Sequence, residues 1–189
     1  SFAVYMLACQ ARGARHICVP AIDFGADLDA MHAAITPDTR IIFVANPNNP
    51  TGTMVSAADV DALMAKVPAH VIVVFDEAYC EYARDPHFPD SLGYVRRERN
   101  AIVLRTFSKI YGLAGLRIGY GVTTAEIAGY LNRVRPPFNA NSLAQRAALA
   151  ARLAGMGTWV LDLAPVVERW DAQMFRLRGL EPRDTPPTL

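Results

Sequence analysis

Three short apolar runs, at residues 41–45, 71–75 and 102–105, each stop at a polar cluster. They are apolar at consecutive positions instead of alternate ones, so each strand needs cover on both faces. That requirement points to a parallel sheet flanked by helices, because crossover connections lay helices on both sides. Two further strand candidates, residues 16–19 and 118–122, bracket the three. Ser56-Ala-Ala-Asp59 reads as a capping box opening a helix through Val67, and Thr123-Thr-Ala-Glu126 reads as another, through Val134. Residues 142–153 are rich in Ala, Leu and Arg, which favour helix. A further helix is expected over residues 158–177, where Val160, Leu161, Leu163, Ala164, Val167, Trp170, Met174 and Leu177 follow a helical spacing, with a kink or break at Pro165. Strand and helix in succession predict an α/β fold with a mostly parallel sheet.

A length of 189 residues fits one domain, or one domain with a piece of another. The expected division falls between residues 1–154 and 155–189, the latter a connecting helix and the start of a second domain, with the Pro-rich residues 182–187 a connector. A net charge of +1 gives no electrostatic reason to expect nucleic acid or an acidic membrane surface as partner. No apolar run approaches bilayer-spanning length. Arg96, Arg97 and Arg99, interrupted by Glu98, read as a solvated face. Cys9, Cys18 and Cys80 form no CxxC pair, which suits a reducing compartment, and the cytoplasm is the expected location. Cys9 and Cys18 have apolar neighbours and are expected to behave as small hydrophobes. His16, His32, His70 and His87 are scattered, and no metal site is expected.

The polar clusters are Asn46-Pro-Asn-Asn-Pro-Thr-Gly52, Asp76-Glu-Ala-Tyr79 and Thr106-Phe-Ser-Lys109. All fall at the carboxyl ends of predicted strands, where α/β folds gather ligands. Lys109 follows an apolar strand, and burial there would favour a neutral amine able to attack an aldehyde. Asp76 needs a cation or donors once desolvated, and a protonated pyridine nitrogen is such a cation. The two prolines stiffen the frame around Asn49, and Tyr79 offers a hydroxyl. Thr106, Ser108 and Arg117 supply two hydroxyls and a guanidinium suited to phosphate. Each residue alone has an ordinary alternative: a surface lysine, a helix-capping aspartate, a packing tyrosine, a connecting loop. The glycines between Gly112 and Gly119 fit neither the P-loop nor the dinucleotide fingerprint and read as allowing close backbone approach beside a ligand. Taken together, the amine, carboxylate, ring-oxygen donors and phosphate donors are what pyridoxal phosphate requires.

Asn-Pro-Asn-Asn-Pro-Thr-Gly, Asp-Glu-Ala-Tyr and Arg105-Thr-Phe-Ser-Lys-Ile-Tyr-Gly-Leu-Ala-Gly-Leu-Arg117, with the later Arg135-Pro-Pro-Phe-Asn139, resemble the fold-type I pyridoxal-phosphate-dependent aminotransferases. Within them the wording most resembles the histidinol-phosphate aminotransferase group. The resemblance covers residues 1–153 and becomes faint beyond Gly155. It implies that Lys109 holds the cofactor as an aldimine and shuttles a proton, and that Asp76 pairs with the pyridinium nitrogen. It implies that Asn49 and Tyr79 bond the ring oxygen, that Thr106, Ser108 and Arg117 hold the phosphate, and that Phe2 stacks on the ring. The implied reaction transfers an amino group from an L-amino compound, histidinol phosphate or an aromatic amino acid, to 2-oxoglutarate. A homodimer is the implied assembly, with residues 1–154 as part of the cofactor-binding large domain.

The family also has a preceding phosphate-binding helix, an N-terminal arm, a partner tyrosine and a C-terminal small domain. None of these is found in the sequence, so a fragment is expected, one not self-sufficient in catalysis. Two other readings remain open: a decarboxylase or lyase using the same lysine and aspartate, and an inactive truncated chain serving as a scaffold.

Overall fold

The computed structural model describes residues 2–154, 159–163 and 166–170, with side chains through residue 151. The chain forms two compact units, Ser1–Thr106 with Gly119–Pro137, and Phe107–Ile118 with Phe138–Leu189.

The first unit is built on four strands, β1 (Ile41–Ala45), β2 (Ile72–Asp76), β3 (Ala101–Thr106) and β4 (Gly119–Thr123), in the order β1-β2-β3-β4. β1, β2 and β3 are mutually parallel, whereas β4 runs antiparallel to β3. The reversal has a local cause. Parallel return needs a long crossover, usually a helix, but between β3 and β4 the only helical element is the 3-10 turn Ala114–Leu116.

Helices cover both faces, as the unbroken apolar runs require. Ile42, Val44, Val73, Phe75, Ala101 and Val103 point to one side and pack with Leu28, Val60, Leu63, Met64 and Tyr94. Those last five come from α2 (Leu28–Ala33), α3 (Ala57–Lys66) and α4 (Ser91–Arg96). The residues between them in the strands, Phe43, Val74, Ile102 and Leu104, point the other way, toward Ile127 of α5 (Ala125–Val134). α1 (Val4–Ala11) buries only Tyr5. α3 opens on the expected capping box, Ser56 Oγ accepting from Asp59 N–H while the Asp59 carboxylate accepts from Ser56 N–H.

Several expectations shift. Residues 16–19 form no strand; Ile17 and Cys18 are exposed, and a strand without a neighbour leaves its backbone groups unpaired. The cap of α5 is Thr124, one residue later than expected, because Thr123 belongs to β4, where its hydroxyl donates to Ala101 O at 2.7 Å. The arginine cluster is exposed but engaged: Arg96 pairs with Asp90, Arg97 lies over the Tyr94 ring, and Arg99 Nη2 donates to Met64 O near the end of α3.

In the second unit, α6 (Ser142–Ala154) forms where expected, with Ala144, Ala148 and Ala151 buried along one stripe. The helix expected over residues 158–177 is instead an antiparallel pair, β5 (Trp159–Leu163) and β6 (Val166–Trp170), in register from Trp159 opposite Trp170 to Leu163 opposite Val166. Pro165 falls between the two strands and cannot continue a helix, and Val160, Val166, Val167 and the tryptophans favour strand. The remainder of that segment and residues 182–187 lie outside the described residues.

Candidate functional site

β1 and β2 end level, with Ala45 opposite Asp76, and Asp76 in turn faces Leu104 of β3. Asp76 is therefore the last residue of a strand, at the carboxyl edge of the sheet. Its Oδ2 accepts from the Tyr5 hydroxyl at 2.5 Å and its Oδ1 from Ala78 N–H at 3.3 Å. The helix-cap alternative does not hold, since the 3-10 turn Cys80–Tyr82 has no side-chain cap. Tyr5 is 9% exposed and its ring stacks on Phe43 at 4.5 Å. Burial, and then the bond to Asp76, hold its hydroxyl proton far more firmly than usual, so it acts as a donor. Phe2, predicted to stack on a ligand ring, stands half exposed and edge-on to Tyr5 at 6.0 Å.

The next residue, Glu77, points into the core and is 1% exposed. Arg105 Nε and Nη2 both donate to its Oε2, at 2.9 and 2.8 Å, linking the end of β2 to β3. Burial pushes the Glu77 carboxyl above its ordinary range, with Ser91 and Arg105 opposing. Glu77 Oε1 and Ser91 Oγ make no bond of ordinary geometry, although the hydroxyl is near enough to favour the carboxylate's charge. Burial, aided by Glu81, pushes the Cys80 thiol up to about 12, which leaves it unreactive at neutral pH. Cys18, expected to behave as a small hydrophobe, is exposed.

The loop after β1 is held from within. Asn46 is 2% exposed, and its amide exchanges two bonds of 3.1 Å with the backbone of Val55. Thr51 and Thr53 hydroxyls donate to Phe24 O at 3.0 and 2.9 Å. The Asn46–Pro47 and Asn49–Pro50 peptides are cis. This frame presents Asn49, whose Nδ2 donates to the Tyr79 hydroxyl at 3.4 Å. Asn49 and Tyr79 line an open cleft of about 550 Å³ together with Tyr82, Arg84 and Asp85. Thr106 ends β3 opposite Gly119. A Cβ at Gly119 would lie 2.8 Å from Arg105 O, so a glycine here permits the close pairing of β3 with β4.

Ser108, Lys109 and Arg117 belong to the second unit. There Phe107 N–H donates to Ile118 O at 3.2 Å and Gly112 N–H to Lys109 O at 2.9 Å, closing a loop with Gly112 at φ +67°. Arg117 has φ +52°, the left-handed region that non-glycine residues enter at a cost of about 1–3 kcal/mol. Its Nη1 donates to Ala114 O at 2.8 Å and reaches Ser108 Oγ at 3.5 Å. Lys109 is exposed, so its place after an apolar strand does not bury it.

The structure thus pairs Asn49 with Tyr79 and Ser108 with Arg117. Tyr5, Glu77 and Arg105 escape sequence reasoning. The available signal was Glu77 itself, a charge adjoining an apolar strand that needs a cationic partner.

A mostly parallel sheet covered by helices on both faces defines an α/β fold. The aminotransferase class I and II family matches residues 1–155, and the chain belongs to that family. It is 63% identical to histidinol-phosphate aminotransferase 1 of Cupriavidus pinatubonensis over 80% of this chain and 40% of the relative. It is 55% identical to the aromatic amino acid aminotransferase of Mycolicibacterium smegmatis over 79% of this chain and 42% of the relative. Among solved structures, histidinol-phosphate aminotransferase from Sinorhizobium meliloti in complex with pyridoxal-5'-phosphate superposes with a TM-score of 0.74 at 34% identity. That match covers 79% of this chain and 41% of the other. The chain therefore spans about two fifths of the length of these relatives. Among the described residues no helix is long and apolar enough to cross a membrane.

Proposed function

We propose that the full-length protein is a pyridoxal-phosphate-dependent aminotransferase, and that residues 1–154 carry most of its cofactor-binding residues. The observation that carries this reading is the donor set at the carboxyl edge of the sheet, with Asp76 ending β2 and the Asn49–Tyr79 pair lining an open cleft. Family membership and the names of the relatives support it. Pyridoxal phosphate, when bound, supplies an electron sink for charge developing at the substrate α-carbon.

In this reading the Asp76 carboxylate holds a proton on the pyridine nitrogen. Asn49 Nδ2 and the Tyr79 hydroxyl donate to the ring oxygen, and Phe2 covers one ring face. Arg117 with Ser108, joined by Thr106, binds the phosphate; a guanidinium matches two phosphate oxygens at once where an ammonium would match one. Lys109 would hold the cofactor through its Nζ, and its amine, once free, would take and return the substrate α-proton. The donor is a ring-bearing amino compound, histidinol phosphate or an aromatic amino acid, and the acceptor is 2-oxoglutarate. A homodimer in the cytoplasm completes the proposal.

The test is an absorbance spectrum of the full-length protein with pyridoxal phosphate, before and after adding L-histidinol phosphate, L-phenylalanine or glutamate. A protein-bound visible band bleached by one of them is expected, together with a borohydride-fixed adduct on Lys109. An adduct that persists in Lys109→Ala would overturn the lysine's role. Carbon dioxide release without oxo-acid-dependent amino transfer would replace the aminotransferase with a decarboxylase.

A further inference from the structure

Tyr5 is absent from the residues that the sequence singles out, yet it is the one residue through which α1 buries itself. Its ring lies nearly parallel to Phe43 of β1, with an interplanar angle of 13°. Its hydroxyl then crosses to Asp76, 71 residues away in sequence, at 2.5 Å. Packing alone accounts for the ring but not for the hydroxyl, since phenylalanine would fill the same space. Asp76 receives one donor on each oxygen, the firm one from Tyr5 and the long one from Ala78 N–H. Turning the carboxylate about its Cβ–Cγ bond would break both.

We infer that Tyr5 is a positioning residue for Asp76, clamping one carboxylate oxygen so that the remaining lone pairs stay aimed at a cationic N–H partner. The inference rests on the reading that Asp76 pairs with the pyridine nitrogen of pyridoxal phosphate. Two consequences follow from the chemistry. A donor on Oδ2 draws charge toward that oxygen and fixes the plane of the carboxylate. The same bond ties the start of α1 to the sheet, and with it Phe2, whose ring meets Tyr5 edge-on. Tyr5 thereby couples the residue proposed to cover the ring face to the residue proposed to hold the ring nitrogen.

The experiment is a double-mutant cycle on the full-length protein, with Tyr5→Phe, Asp76→Asn and both together, reading pyridoxal phosphate affinity by absorbance titration. Tyr5→Phe keeps the stacked ring and is expected to weaken affinity about tenfold, the scale of one charge-assisted hydrogen bond. In the Asp76→Asn background the same change is expected to matter less than about twofold. A second readout is the midpoint of the pH-dependent change in the bound cofactor's visible band. It should move upward in Tyr5→Phe, because an anion sharing less charge with a donor favours protonated neighbours more strongly. Site-specific 3-fluorotyrosine at position 5, a stronger donor of nearly the same shape, should move it downward without disturbing the fold. Additive effects in the cycle, with midpoints unmoved in both variants, would show that Tyr5 only packs and would overturn its positioning role. A wild-type protein that takes up no pyridoxal phosphate, or Asp76→Asn binding as tightly as wild type, would overturn the cofactor reading instead, and the Tyr5 role with it.

Discussion

At the scale of single residues, adjacent carboxylates take opposite fates. Asp76 ends β2 at the sheet edge and stays half-buried between two donors, whereas Glu77 turns into the core and takes Arg105 as partner. Period-two alternation of a strand explains the split, because neighbouring side chains face opposite ways. Burial raises the Glu77 carboxyl, so the stability it contributes is complete below the ordinary carboxylate range and is lost as pH rises through its raised value. The advantage of wild type over Glu77→Gln in unfolding free energy is therefore expected to shrink from about pH 4.5 toward neutrality. Urea unfolding at several pH values checks this, and an advantage growing with pH would contradict it. For Arg117, replacement by lysine is expected to weaken pyridoxal phosphate binding by about 1–3 kcal/mol, since a point charge replaces a planar fork. Unchanged affinity in a cofactor titration would mean that the guanidinium serves only its bond to Ala114 O. Asn49, Asp76, Lys109 and Arg117 were legible as candidates because each sits in a dense local motif. Tyr5 was not, because its partner lies far along the chain.

At the scale of elements, local chemistry was readable wherever the deciding atoms are close in sequence. The Ser56–Asp59 box is such a case, with donor and acceptor three residues apart. Ser56→Ala is expected to lower stability by about 1 kcal/mol, measured as a shift in the urea midpoint. The pairing of β3 with β4 depends on atoms farther apart. Gly119→Ala would set a Cβ against Arg105 O and near the Thr106 Cα, both backbone atoms that cannot swing aside. A cost of about 1–3 kcal/mol is expected from that overpacking, and near-neutral unfolding data would show that β4 shifts freely along β3. Residues 158–177 mark where local reading failed. Helical spacing and strand preference coexist there, and the strand pairing of Trp159 with Trp170 prevails over the spacing.

At the scale of the whole molecule, the chain leaves large apolar residues in solvent, among them Phe24, Val134 and Phe138, at 75%, 75% and 97% exposed. Singly exposed apolar residues are ordinary in folded proteins, so the proposed homodimer rests on the family resemblance and not on them. The full-length protein is expected to sediment at twice its monomer mass; a monomer showing the complete cofactor band would remove the dimer from the proposal. The sequence by itself determined the α/β class, the carboxyl-edge placement of Asn49, Asp76 and Thr106, and the bounds of α3, α5 and α6 to within two residues. Each of these depends on periodicity, capping or turn chemistry within a few residues. Only the tertiary structure decided the Glu77–Arg105 pair and the hold of Tyr5 on Asp76. Those depend on which strands become neighbours, and distance in space is not written in distance along the chain.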